Sequence, residues 1–70
     1  MNYLGAQLAK LRTARELSQE QLAAMVDVHQ TTISSIERGD RYPSWRLIQK
    51  FADVFGVSVD VFRATPEPTH

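Results

Sequence analysis

The stretch Ser18-Gln19-Glu20-Gln21-Leu22-Ala23-Ala24-Met25-Val26-Asp27-Val28-His29-Gln30-Thr31-Thr32-Ile33-Ser34-Ser35-Ile36-Glu37-Arg38-Gly39 decides the fold. Ser18 followed three residues on by Gln21 is a capping-box signature, in which each side chain satisfies a backbone N–H that has no partner within the helix. A helix therefore starts there, with Leu22, Met25 and Val26 on its buried face and Ala23 small enough for another helix to cross close by. Asp27 and Val28 interrupt the period, so this helix is short and ends near Val26. Ile33 and Ile36 set the inner face of the next helix, which runs to about Arg38. Gly39 closes it, because glycine readily takes the left-handed conformation that satisfies a helix's last carbonyls.

Working outward, the same periodicity continues on both sides. Leu4, Leu8 and Leu11 fall at i, i+4 and i+7, which predicts a first helix from about Asn2 to Arg15. Downstream, Ser44 is a good N-cap after Pro43, and Leu47, Ile48, Phe51, Ala52 and Phe55 repeat at helical spacing until Gly56. Ser58 then caps a brief fifth helix through roughly Arg63, with Val59 and Phe62 inward. The apolar spacing points to helices nearly everywhere. The expectation is an all-α, five-helix domain over residues 1–64, followed by a frayed tail over 65–70 that holds Pro66 and Pro68.

Composition bounds the function. The chain has 70 residues, no cysteine and a formal net charge of zero, which fits one small domain and argues against most enzymes. His29 and His70 are the only imidazoles, so no metal site or cofactor is expected. No run approaches the roughly 18 apolar residues of a membrane span, and the start lacks the pattern of a signal peptide. A cytoplasmic location, no membrane and no small-molecule ligand follow as expectations. With neither disulfide nor metal, association with a partner becomes the expected stabiliser.

The neutral total hides segregation. Residues 1–15 carry +3, residues 16–37 carry −4, residues 38–50 carry +3 and residues 51–70 carry −2. If the two basic segments share a surface, the domain has a positive face; if they do not, these are ordinary solvated charges. Two short helices joined by a short turn suit DNA, since the second can enter a major groove about 12 Å wide while the first crosses the backbone. With Ile33 pointing inward, a step of about 100° per residue puts Thr31, Ser34, Ser35 and Arg38 on the outer face, and Gln30 projects from the first turn. Gln bonds adenine bidentately and Ser or Thr bonds either sort of base edge, whereas ordinary solvated helices favour Glu and Lys.

Three segments, LSQEQLA (17–23), TTISSIERGDRYPS (31–44) and FADVFGVSVDVF (51–62), stand in the order and spacing of one bacterial superfamily. The chain resembles the Cro and phage-repressor type (Xre-like) helix-turn-helix proteins from about Leu4 to Phe62. The resemblance includes Arg12, the Ser18-Gln19 start, Ala23 and the Ile33-Ser34-x-Ile36-Glu37-x-Gly39 stretch. It implies a lambda-repressor-like domain that binds double-stranded operator DNA as a homodimer, in a bacterial or phage nucleoid. Carried over by position, Gln30, Thr31 and Ser35 read bases, with Ser34 at the groove edge. Gln19 meets a phosphate, Arg38, Arg41 and Tyr42 hold the backbone, and Arg46 reaches the minor groove. Arg12 and Glu37 form a structural ion pair between the first and third helices. For Arg41 and Arg46 the alternative is plain exposed charge.

The chain departs from that pattern at the turn. Asp27 stands where glycine is usual, and it tolerates a left-handed backbone better than most residues. Its charge would either repel phosphate or favour the positive end of the third helix. His29 replaces the usual Ser or Thr cap, and either contacts a phosphate or caps. Trp45, Val54, Val57 and Val61 are the apolar residues left over for a dimer contact, while the alternative for Trp45 is to cover its own core. The leading function is a sequence-specific transcriptional regulator. A protein-interaction module, antitoxin-like and weak on DNA, is the alternative.

Overall fold

The computed structural model describes residues 3–62, which form α1 (Tyr3–Ala14), α2 (Gln19–Met25), α3 (Gln30–Arg38), α4 (Trp45–Phe55) and a closing 3-10 turn (Val59–Phe62). Among the described residues there is no strand. The domain limit at residue 64 and the expected tail over 65–70 lie outside them.

The expected fifth α-helix is a single 3-10 turn of four residues. Its cause is local: Ser58 Oγ accepts from the Asp60 N–H at 3.2 Å, and the Val61 N–H reaches the Ser58 carbonyl at 3.1 Å, an i+3 bond that tightens the backbone. Phe62 nevertheless reaches the core as expected and packs against Phe51 with ring centroids 6.2 Å apart.

The core is drawn from every element. Leu4 and Leu8 of α1 meet Leu22, Ala23 and Val26 around α2, Ile33 and Ile36 of α3, and Ile48, Phe51, Ala52 and Phe55 of α4. Leu11 and Leu47 are partly buried against it. Met25 corrects the sequence reading, being 54% exposed. At 100° per residue, Leu22, Ala23 and Val26 share one arc and Met25 falls roughly 105° from its centre, so Ala23 takes the inward place instead.

Each α-helix ends in the same way, with a left-handed residue and a pair of bonds back to the last turn. Gly39 (φ 88°) and Gly56 (φ 67°) close α3 and α4. Glu16 (φ 58°) and Asp27 (φ 62°) close α1 and α2, although both carry side chains. Arg15 then joins the C-terminal ends of α1 and α4: its Nη2 donates to the Phe55 carbonyl at 2.6 Å, and its guanidinium lies 5.1 Å from the Phe55 ring centroid. A cation at a helix C-terminus is favourable because the last carbonyls lack intrahelical partners.

Candidate nucleic-acid interface

The α2–α3 unit is built by its caps. Ser18 Oγ accepts from the Gln21 N–H at 2.9 Å and Gln21 Oε1 accepts from the Ser18 N–H at 2.7 Å, so the expected capping box is present. The turn follows from Asp27, whose left-handed backbone lets the Val28 N–H reach the Ala23 carbonyl at 3.0 Å. His29 occupies the N-cap position of α3 with an extended backbone, but its side chain makes no capping bond. The capping alternative for His29 is therefore not realised. Its imidazole is exposed beside Asp27.

One side of α3 is locked to the domain. Arg12 Nε and Nη2 donate to the two carboxylate oxygens of Glu37 at 2.7 and 3.1 Å, and Arg12 Nη1 donates to the Leu17 carbonyl at 2.8 Å. The two side chains are only 15% and 8% exposed. The ion pair implied by the resemblance is thus present and bidentate, a planar match that lysine could not make. Gln19 joins it: its Nε2 donates to Glu37 Oε1 at 3.0 Å, a bond the sequence reading did not foresee. One N–H of that amide is thereby engaged within the protein.

The first turn of α3 and the side away from Glu37 face out. Gln30 and Thr31 are exposed, and Ser34 and Ser35 are partly so. Arg38 folds back over the two serines: Nη1 donates to Ser34 Oγ, Nη2 donates to Ser35 Oγ at 3.4 Å, and Nε donates to Asp40 Oδ2 at 3.0 Å. Asp40 was missed in the sequence, where its only signal is a carboxylate two residues after Arg38 across the Gly39 turn. Arg41 Nη1 donates to Thr32 Oγ1 at 3.3 Å, which brings the α3–α4 connection against α3. Tyr42 and Arg46 are exposed beyond it.

Trp45 does not cover its own core, for it is 61% exposed. With Tyr42, 68% exposed, it lines an open cleft of about 190 Å³ that Pro43, Ile48, Val59 and Phe62 complete. Val54, Val57 and Val61 are partly buried against the core and do not line that cleft. The four residues proposed for a dimer contact are therefore one exposed aromatic and three half-covered valines. Among the described residues, no group of three or more His, Asp or Glu is placed to hold a metal ion, and no helix is long and apolar enough to cross a membrane.

A family model described as Helix-turn-helix matches residues 8–62. The HTH-type transcriptional activator BcrR of Enterococcus faecalis is 40% identical over 53 residues, 76% of this chain and 26% of its own, so the chain spans about a quarter of that relative. Control protein C.BamHI of Bacillus amyloliquefaciens is 41% identical over 54 residues, 76% of this chain and 67% of its own. Among solved structures, the restriction-modification controller protein C.AhdI from Aeromonas hydrophila superposes with a TM-score of 0.83 at 32% identity, covering 89% of this chain and 94% of that one.

Proposed function

The chain belongs to the helix-turn-helix family, in its Xre/Cro type of DNA-binding transcription regulators, and we propose that it is a sequence-specific regulator that binds a pseudo-palindromic operator as a homodimer. The observation that carries this reading is the outward face of α3. Its exposed groups are uncharged hydrogen-bonding side chains at Gln30 and Thr31, with Ser34, Ser35 and one arginine behind them, on a helix whose inner side is pinned by a bidentate ion pair. Such a face suits base edges in a major groove, and a rigid mount suits a contact that must hold its register.

Phosphate contacts then come from around that helix. Gln19 at the start of α2 and His29 at the start of α3 offer donors beside helix N-termini, where anions are favoured. Arg41, Tyr42 and Arg46 extend the contact along the α3–α4 connection. These residues set affinity and register rather than sequence. Trp45, Val54, Val57 and Val61 supply the apolar surface for a second copy, which would place the two α3 helices about one turn, roughly 34 Å, apart along the operator.

The exposed Tyr42–Trp45 cleft and the carboxylate of Asp27 beside α3 favour a second reading, a protein-binding module of the antitoxin kind with weak DNA affinity. Selection from random genomic fragments over a salt series separates the two, with oligomeric state recorded alongside. A shared inverted repeat, with binding that weakens at a slope near −0.9 per phosphate contact, is the expected result. A clean dimer that enriches no sequence would sink the operator reading in favour of the protein-binding one.

A further inference from the structure

Arg38 turns its head group back along its own helix. Ser34 and Ser35 precede it by four and three residues, so hydrogen bonds to their hydroxyls place the guanidinium over the turn N-terminal to its own Cα. It sits in the middle of the outward face of α3. Its carboxylate partner is equally well placed. Gly39 turns the chain at φ 88°, and the Asp40 N–H bonds the Ser35 carbonyl at 2.9 Å, so Asp40 is a fixed part of the closure of α3.

We infer that Arg38 is a specificity-determining residue that reads a guanine in the major groove, with Asp40 as the positioning residue that aims it. The inference rests on the DNA-binding reading above. A guanidinium carries five N–H groups, and Asp40, Ser34 and Ser35 engage three, leaving one on Nη1 and one on Nη2. Guanine presents N7 and O6 side by side on its major-groove edge, an acceptor pair matched by one N–H from each of Nη1 and Nη2 when these two point in parallel from the end of the guanidinium. Charge points the same way. With Asp40 Oδ2 at 3.0 Å the pair is close to neutral, which makes Arg38 a poor attractor of phosphate while leaving its hydrogen-bonding geometry intact. Ser34 and Ser35 then orient Arg38, and Gln30 and Thr31 read at the N-terminal end of the helix. Because the side chain is held before DNA arrives, it loses less rotamer freedom on binding.

The test takes the operator selected by the wild-type protein, substitutes every base pair in turn, and measures dissociation constants over a salt series for wild type, Arg38→Ala, Arg38→Lys and Asp40→Asn. Both Arg38 variants are expected to lose about 5- to 100-fold of preference at one G·C pair in each half-site, with the salt slope unchanged. Asp40→Asn should relax preference at that same pair. Base preferences that survive in Arg38→Ala, with uniform weakening and a salt slope shallower by about 0.9, would make Arg38 a phosphate contact and overturn the assignment. Uniformly tighter binding by Asp40→Asn, with preferences intact, would show Asp40 to be only a repulsive charge and remove its positioning role. If the wild-type protein selects no shared sequence, the operator reading falls and this inference with it.

Discussion

Glu37 and Arg38 are neighbours in the last turn of α3, yet each enters an ion pair of a different kind. Glu37 points inward to Arg12 on α1, and the paired side chains are 15% and 8% exposed; Arg38 points outward to Asp40, and that pair is 59% and 63% exposed. One residue along a helix is a rotation of about 100°, enough to carry a side chain from the interior to solvent. The inner pair is shielded and bidentate, with Gln19 and the Leu17 carbonyl completing its bonds, so removing a partner strands a charge. The outer pair is screened by water, and such pairs contribute about 0–1 kcal/mol to stability. The same chemistry thus holds the domain together on one side and, in the proposal made above, orients a DNA-facing group on the other.

The sharpest way to break this contrast is Arg12→Ala. Loss of one partner of a buried pair costs about 3–5 kcal/mol, and the partial exposure here puts the expected loss near about 3 kcal/mol. In a domain this small that is a fall in Tm of about 12 °C or more by circular dichroism, with DNA binding reduced alongside. An unchanged Tm would refute the inner pair as a structural tie.

Gln19→Ala should come next, at about 1.5 kcal/mol, since it removes one charge-assisted bond to Glu37 while Arg12 still neutralises the carboxylate. DNA affinity should fall on every sequence alike; loss confined to one operator base pair would contradict a backbone role.

Asp27→Gly sharpens the comparison from the turn between the two helices. Left-handed backbone costs a non-glycine residue about 1 kcal/mol, so the variant should gain about that much in chemical denaturation and bind DNA more tightly for want of a carboxylate. A destabilised Asp27→Gly protein would mean that the aspartate side chain supports the turn. The smallest effect belongs to Arg38→Ala, whose stability should stay within about 0.5 kcal/mol of wild type while its base preference changes. A large drop in Tm would erase the distinction between the pairs.

Much of this architecture was legible in the residues. The capping box at Ser18 and Gln21, the glycine stops at 39 and 56 and the leucine and isoleucine spacing each act within one or two turns. They place α1 to α4 to within a few residues. The left-handed Glu16 was not legible, because a glutamate carries no signal for that conformation. Met25 was misplaced because its spacing from Leu22 fits a helical face, and only the arrival of a neighbouring helix over Ala23 decides which side of the arc is covered. The outward face at Thr31, Ser34 and Ser35 follows from Ile33 and Ile36 alone, with Gln30 projecting from the first turn. The bond from Arg38 to Asp40 depends on how Gly39 turns the chain.

The order of the helices, their caps and the polar face of α3 were determined by the sequence itself, since periodicity and capping are local and need no knowledge of where other elements lie. Which partner each long polar side chain takes was decided only by the tertiary structure. Arg15 reaches a carbonyl 40 residues away at the end of α4, and Gln19 a carboxylate 18 residues away at the end of α3. A flexible, charged side chain has many acceptors within reach of an extended chain, and packing of the apolar faces selects among them by bringing one close and excluding water from it.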